Sequence, residues 1–260
     1  HLSPVEIMTY AAACTSQIRL GCAVLVSTLH SPIHLAKSVS TLDQISRGRI
    51  EVGVGTGGRG RMFSAFGVDP GSMVARFTEG VQLMKACWTA PQIAFEGRFW
   101  QVHGAAMEPK PFQKPHPPLW FGGSHPAALR RAVRLGDGFF GAGSTTTAAF
   151  ADQVRVVREA LAETGRDAAR FRIAKRVYIA VDDDGDRARE RLDAALDALY
   201  GYFGLTGMIA VAVAGPPDAC VRGLREVAAA GAELILLNPL YDDAGQMERL
   251  AADVVPQLRD

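Results

Sequence analysis

Cysteine is sparse in this chain, and where it occurs it forms no pattern. Cys14, Cys22, Cys87 and Cys220 are the four cysteines of 260 residues. No two make a CxxC pair, which argues against a zinc ribbon or a disulfide scaffold and fits reduced thiols in a cytoplasm. Long apolar runs are missing too. The stretch from Met208 to Ala214 is among the longest, far short of the roughly 20 residues a membrane-spanning helix needs. No basic segment leads into an apolar core at the start, so no signal peptide is read. Neither sign of charge dominates: the formal net charge is +1, which offers no field for nucleic acid or an anionic membrane. The first residue is His1 rather than Met, so the chain is expected to begin partway through a longer natural sequence.

What is present is a globular composition, with 48% hydrophobic and 21% charged residues. Apolar strands alternate with helices. A helix is expected over 5–15, a buried strand over 19–27, a helix over 33–46 ended by Gly48, and a strand over 50–55. A long excursion from Thr56 to Pro117 follows. It holds a helix over 73–88 and a hairpin of 93–95 and 99–102 turning at Glu96-Gly97. It closes in a stiff proline-rich strap from Pro109 to Pro118. Further strands are expected over 119–121, 138–142, 171–181 and 233–237, with helices over 127–135, 147–164, 186–199, 217–230 and 244–258. Residues 200–215 fit no single pattern. Asp182-Asp183-Asp184 reads as a solvated loop leading into a helix. Six such units mean parallel strands in βα order. They are too many for a minimal nucleotide fold and too few for a full (β/α)8 barrel. A barrel lacking its first two units reconciles the count, in one domain over residues 1–260.

The organising stretch is Pro118-Leu119-Trp120-Phe121-Gly122-Gly123-Ser124-His125-Pro126. A short buried strand runs into a glycine turn and then a helix. Ser124 is read as the helix cap, with Pro126 in the first turn. Such a corner aims free N–H groups and a positive dipole end at one place, which suits a phosphate. A plain βα corner without a ligand fits the same residues.

Other motifs say less. Gly53-Val54-Gly55-Thr56-Gly57-Gly58 matches G-x-G-x-x-G, but Arg59-Gly60-Arg61 follows where a helix should open, and Glu79 falls within a helix. Close backbone approach of a flat ring to a bare strand end explains it better. His30 and His34 are spaced as zinc ligands, but Ser31-Pro32 separates them and no third ligand is evident, so no metal is expected. His30 alone, just past a strand end, is a candidate pocket residue. Ser64, Ser124 and Ser144 lie in no nucleophile elbow. Asp43, Arg47, Arg49 and Arg76 are read as internal ion pairs.

Three stretches together resemble the bacterial luciferase-like superfamily. They are His34-Leu35-Ala36-Lys37 through Arg47-Gly48-Arg49, then Val52 through Gly57, then Pro109-Lys110-Pro111 through Phe121-Gly122-Gly123. The tail from Ala214-Gly215-Pro216-Pro217 to Leu236-Leu237 is similar as well. The resemblance implies an α/β (β/α)8 TIM barrel and an oxidoreductase with a cofactor at the carboxyl ends of the strands. That cofactor would be coenzyme F-420, an 8-hydroxy-5-deazaflavin, transferring hydride to or from a small organic substrate. The alternatives are FMN in a monooxygenase, and a flavin-binding protein without catalysis. The resemblance places the cofactor phosphate on Gly122, Gly123 and Ser124. It places the ring near Ala23-Val24, where relatives often carry a bulge with a non-prolyl cis peptide, and near Gly55, Thr56 and Gly57. It also implies a homodimer. Many relatives have a large residue where this chain has Gly58, and the catalytic acid or base is not identified.

Overall fold

A computed structural model describes residues 2–58 and 62–258; the stretch Arg59-Gly60-Arg61 lies outside the described residues. The chain resolves into two compact units. Residues 1–122 and 131–138 form the first, and 123–130 and 139–260 the second.

In the first unit, α1 (Pro4–Cys14) leads to β1 (Leu20–Val26), α2 (Pro32–Ser46) and β2 (Ile50–Gly55). The short α3 (Met62–Ala65) and long α4 (Met73–Thr89) follow, then the hairpin β3 (Ile93–Glu96) and β4 (Gln101–Ala105), and β5 (Leu119–Gly122). Strands β1, β2 and β5 are parallel neighbours, with Leu20 beside Ile50 and Val52 beside Leu119.

Local chemistry sets the ends of α2. Pro32 occupies its first turn, where a missing N–H costs nothing. At the other end Arg47 and Gly48 both turn left-handed (φ 55° and 82°), and the Gly48 N–H donates to the Asp43 carbonyl at 2.9 Å. Leu35, Ala36, Val39 and Leu42 fall on one stripe and are buried. Burying each of the larger ones contributes roughly 1.5–3 kcal/mol.

The proline-rich strap is pinned along α2 and α4. Ser40 donates to the Pro109 carbonyl, and Gln44 to that of Lys110 at 2.8 Å. Lys110 Nζ donates to the carbonyls of Cys87 and Ala90 at 3.0 and 2.6 Å. Asp43, 0% exposed, accepts from the Gln113 backbone N–H and side-chain amide, both at 2.8 Å.

Among the described residues the expected ion pairs of Asp43, Arg47, Arg49 and Arg76 do not form. Asp43 takes amide donors instead. Arg49 donates to the carbonyl of Ala12 in the last turn of α1 and to those of Thr15 and Ile18 beyond it, and Arg76 stacks 4.6 Å over the Trp100 ring. The first hairpin strand lies where it was expected, and the second starts two residues later. The Glu79 carboxylate accepts from the N–H groups of Arg98, Phe99 and Trp100 at 2.8–3.0 Å, which holds those residues in the turn.

Helix α5 (Pro126–Leu135) and strand β6 (Gly138–Gly141) are shared between the units. The second unit continues with α6 (Thr147–Thr164), β7 (Arg172–Val181), α7 (Gly185–Tyr200), β8 (Val213–Gly215), α8 (Pro217–Ala229), β9 (Leu234–Asn238) and α9 (Asp243–Arg249). Strand β7 is its centre, pairing in parallel with β8 and with β9. One face of β7, Val177, Ile179 and Val181, packs on Cys220, Val221 and Leu224 of α8 and on Leu250 and Val254. The opposite face, Tyr178 and Ala180, packs on Ala188, Leu192 and Leu196 of α7. The ambiguous stretch after Tyr200 is two 3-10 turns, Gly201–Phe203 and Met208–Val211, before the short β8. The acidic run finds partners one by one. Asp182 pairs with Arg187, which holds its carboxyl down to about 2. Asp183 pairs with Arg249, and Asp184 caps α7 by accepting from the N–H groups of Asp186 and Arg187. No helix among the described residues is long and apolar enough to cross a membrane.

Candidate functional site

The carboxyl ends of β1, β2 and β5 meet at Val24. Strand β1 is irregular there: the Ala23–Val24 peptide is cis, and the register against β2 shifts between Cys22 and Leu25. The expected cis peptide and bulge are thus both present. The glycines of β2 make room for this irregular end rather than leaving a bare surface. A Cβ on Gly53 would lie 2.0 Å from the Cys22 carbonyl oxygen, and one on Gly55 would lie 2.7 Å from Val24 Cγ2. Gly57, at φ 74°, packs against Val26 and Phe63 in the same way. Ala23, Val24, Gly55 and Gly122 therefore come together: the other methyl of Val24 lies 3.6 Å from where a Gly122 Cβ would stand. Thr56 is tied in by its carbonyl, which accepts from the Thr28 hydroxyl at 2.8 Å. Burial pushes the Cys22 thiol up to about 11, so it stays protonated and is no nucleophile.

Gly123 and Ser124 belong to the second unit. Gly123 has φ 148° and a Cβ there would strike Ala128. The expected role of Ser124 as helix cap is wrong by one residue. Helix α5 starts at Pro126, and the His125 ring nitrogen Nδ1 accepts from the Ala127 N–H at 3.2 Å. An imidazole lone pair satisfies the first helical N–H, so the Ser124 hydroxyl has no partner among the described residues. Among the described residues the backbone N–H groups of Gly123, Ser124 and His125 have no acceptor either, and all three residues are exposed. Free N–H groups ahead of a helix start are donors that an anion can accept from. This chemistry fits the phosphate of a flavin nucleotide, and the small side chains around Val24 fit a flat ring.

His30 stands away from these residues in its bonding. It is exposed, closes the 3-10 turn Ser27–Leu29, and lies in the field of Glu6 on α1. Among the described residues no group of three or more His, Cys, Asp or Glu could hold a metal ion.

The family's sequence profile, described as luciferase-like monooxygenase, matches residues 1–234. The chain belongs to the luciferase-like monooxygenase family. An FMNH2-dependent dimethylsulfone monooxygenase of Pseudomonas putida is 31% identical over 71% of this chain and 50% of its own length. An F-420-dependent glucose-6-phosphate dehydrogenase of Kineococcus radiotolerans is 28% identical over 70% of this chain and 55% of its own. The match to an uncharacterised protein of Mycobacterium tuberculosis, at 40% identity, spans 46% of this chain and 43% of that one. The chain thus spans about half the length of these curated relatives. A monooxygenase from Streptomyces bottropensis superposes with a TM-score of 0.86 at 26% identity, over 98% of this chain and 83% of that one. An F-420-dependent secondary alcohol dehydrogenase shares the fold, with a TM-score of 0.87 at 19% identity over 100% of this chain and 85% of that one. The fold is therefore α/β of the luciferase-like barrel type, and the relatives named for an activity are oxidoreductases.

Sequence reasoning missed two features. The cap by His125 hides behind a better capping residue next to it. A charged pair, Lys175-Arg176, sits inside the apolar run from Phe171 to Val181, and that interruption was a legible signal.

Proposed function

We propose that this chain is the cofactor-binding part of a luciferase-like oxidoreductase that uses coenzyme F-420 for hydride transfer to or from a small organic substrate. The observation that carries the reading is the row of free N–H groups at Gly123, Ser124 and His125, which suits a cofactor phosphate. Gly122 extends that turn. The ring would lie against Ala23 and Val24, with Gly55, Thr56 and Gly57 shaping the strand ends behind them. When bound, the deazaflavin supplies a carbon that gives or takes hydride. The protein's own groups bind and orient: N–H donors hold the phosphate, and Val24 supports the ring. Ser124 can add its hydroxyl.

The second reading is an FMN-dependent monooxygenase, favoured by the Pseudomonas relative. An oxygen-dependent route needs a ring site closed to water, so oxygen uptake with reduced FMN separates it from hydride transfer. We extend the proposal to a homodimer. The groove between α1 and α2, with exposed Tyr10 and Ile45 on its rim, offers an apolar contact.

Fluorescence titration of the protein against coenzyme F-420 and FMN separately tests the cofactor. Tight binding of the deazaflavin alone is the expected outcome; tight FMN binding alone moves the assignment to the monooxygenase. Ser124→Asp, which sets a negative charge beside the phosphate, is expected to weaken binding at least tenfold with thermal stability unchanged. Unchanged affinity in that folded variant removes the phosphate from this corner.

A further inference from the structure

Lys175 carries a buried charge that no carboxylate answers. It is 2% exposed, and the carbonyls of Ala142 and Thr145 accept from its ammonium. Those bonds fix the ammonium in place but leave its charge uncancelled, since no ion pair reaches it among the described residues. A charge this deep in a protein is normally met by an opposite one. Lys175 lines a cavity of about 320 Å³ whose walls all belong to the second unit.

The rest of the lining adds charge of the same sign. Arg189 of α7 is part of it and has no ion pair among the described residues. Arg222 of α8 is part of it too, tied to Asp218 at 2.6 Å. The carboxylate on the lining, Glu226, pairs with none of the three among the described residues. Three cations thus share the cavity with one carboxylate. Thr146 caps α6 by accepting from the Ala149 N–H at 3.1 Å, which leaves its hydroxyl proton to be donated. Helix α6 begins beside it at Thr147, also on the lining, so the positive end of an 18-residue helix lies there. Elsewhere Ala210, Ala212 and Ala214 give the wall small apolar side chains.

We propose that this cavity holds the phosphoryl group of a small phosphate ester, with Lys175 and Arg189 meeting its charge and the organic body lying along Ala210, Ala212 and Ala214. Two unpaired cations match a dianion, whereas a carboxylate would leave one of them unanswered. The guanidinium can take two oxygens side by side, and the ammonium acts as a compact point charge. The volume sits at the lower end of the range for small-molecule pockets, which is more than a bare ion needs. The proposal does not rest on the oxidoreductase reading, because no residue of the cofactor corner takes part.

The test is calorimetric titration of the full chain, without flavin and at constant ionic strength, with glycerol 3-phosphate as the probe. Ser124→Asp is the background, because its negative charge keeps anions from the corner before α5. Saturable binding of glycerol 3-phosphate at a single site is expected there. Arg189 is exposed, so Arg189→Glu is expected to keep its thermal stability and to weaken binding at least tenfold, while Arg189→Lys retains part of the affinity. Lys175→Met, titrated well below its melting transition, is expected to abolish binding; if it does not fold, Arg189→Glu decides. Inorganic phosphate and acetate are each expected to bind at least tenfold more weakly than the ester. No saturable binding in the Ser124→Asp background, or unchanged affinity in folded Arg189→Glu, overturns the proposal. Inorganic phosphate binding as tightly as the ester marks a bare-ion site, and acetate doing so marks a carboxylate site; either result overturns it as well. A failure of the wild-type protein to bind F-420 or FMN bears on the Ser124 corner alone and leaves this titration standing.

Discussion

The two faces of β7 hold adjacent cations in opposite conditions. Lys175 is 2% exposed, yet it is satisfied: Nζ donates to Ala142 at 3.0 Å and Thr145 at 2.7 Å and lies over the Phe150 ring. Arg176 is half-buried, and among the described residues it meets only a ring face. Burial alone would rank Lys175 as the odder residue. Accounting for each donor reverses the order, because a buried charge with its hydrogen bonds made is a structural clamp, and one without them clamps nothing. The lysine ties the loop after β6 to the central strand of its unit. The arginine ties nothing.

If that contrast holds, removing the lysine must hurt most. Lys175→Met strips two hydrogen bonds from buried surroundings and leaves the Thr145 carbonyl unpaired. Relief from burying a charge offsets part of this, and the net loss is expected to be about 2–3 kcal/mol. Chemical denaturation of the two proteins at neutral pH measures it; a loss below about 0.5 kcal/mol would place Lys175 in the same class as Arg176.

The next effect depends on pH. Burial pulls the Lys175 ammonium down to about 8, with the charge of Arg176 adding to the shift. Its folded value lies below its unfolded one, so between about 8 and 10.5 the unfolded chain binds more protons. Stability contributed by this group therefore rises with pH across that window, by up to about 3 kcal/mol. The signature is a wild-type stability that gains on Lys175→Met between pH 8 and 10. A falling difference would mean that the carbonyl bonds, not burial, control the titration.

The contrast also shows what the sequence discloses. The β2 limits and nearly all of α2 were legible, because Pro32, Gly48 and the apolar stripe act within a few residues of each other. The second hairpin strand was misplaced because Glu79, some twenty residues away, decides which N–H groups belong to the turn. Residues 200–215 resisted because Gly204 and Gly207 adopt positive φ between short turns that have no periodicity. At the candidate site, the glycine-rich corner and the irregular end of β1 could be named in advance. The purpose of the β2 glycines could not: that Gly53 yields to the Cys22 carbonyl is a contact between strands. Arg176 announced itself only as a charge in an apolar run, since its lack of partners is a property of the folded unit.

The smallest expected effect is the sharpest test of the contrast. Arg176→Met removes a cation–π contact with Tyr178, a loss of about 0.5–1 kcal/mol for such a partly exposed pair. It also removes an N–H that is buried without an acceptor, a gain of about 1 kcal/mol. The methionine keeps most of the apolar stem against Tyr178 and beneath Gly143. The two terms nearly cancel, so unfolding free energy should change by less than about 0.5 kcal/mol in either direction, beside the larger loss in Lys175→Met. A loss above 2 kcal/mol would show that the guanidinium holds the unit together, and the asymmetry between the two faces would vanish. A neutral result would separate the two cations by what they do for the fold, one clamping its unit and the other not.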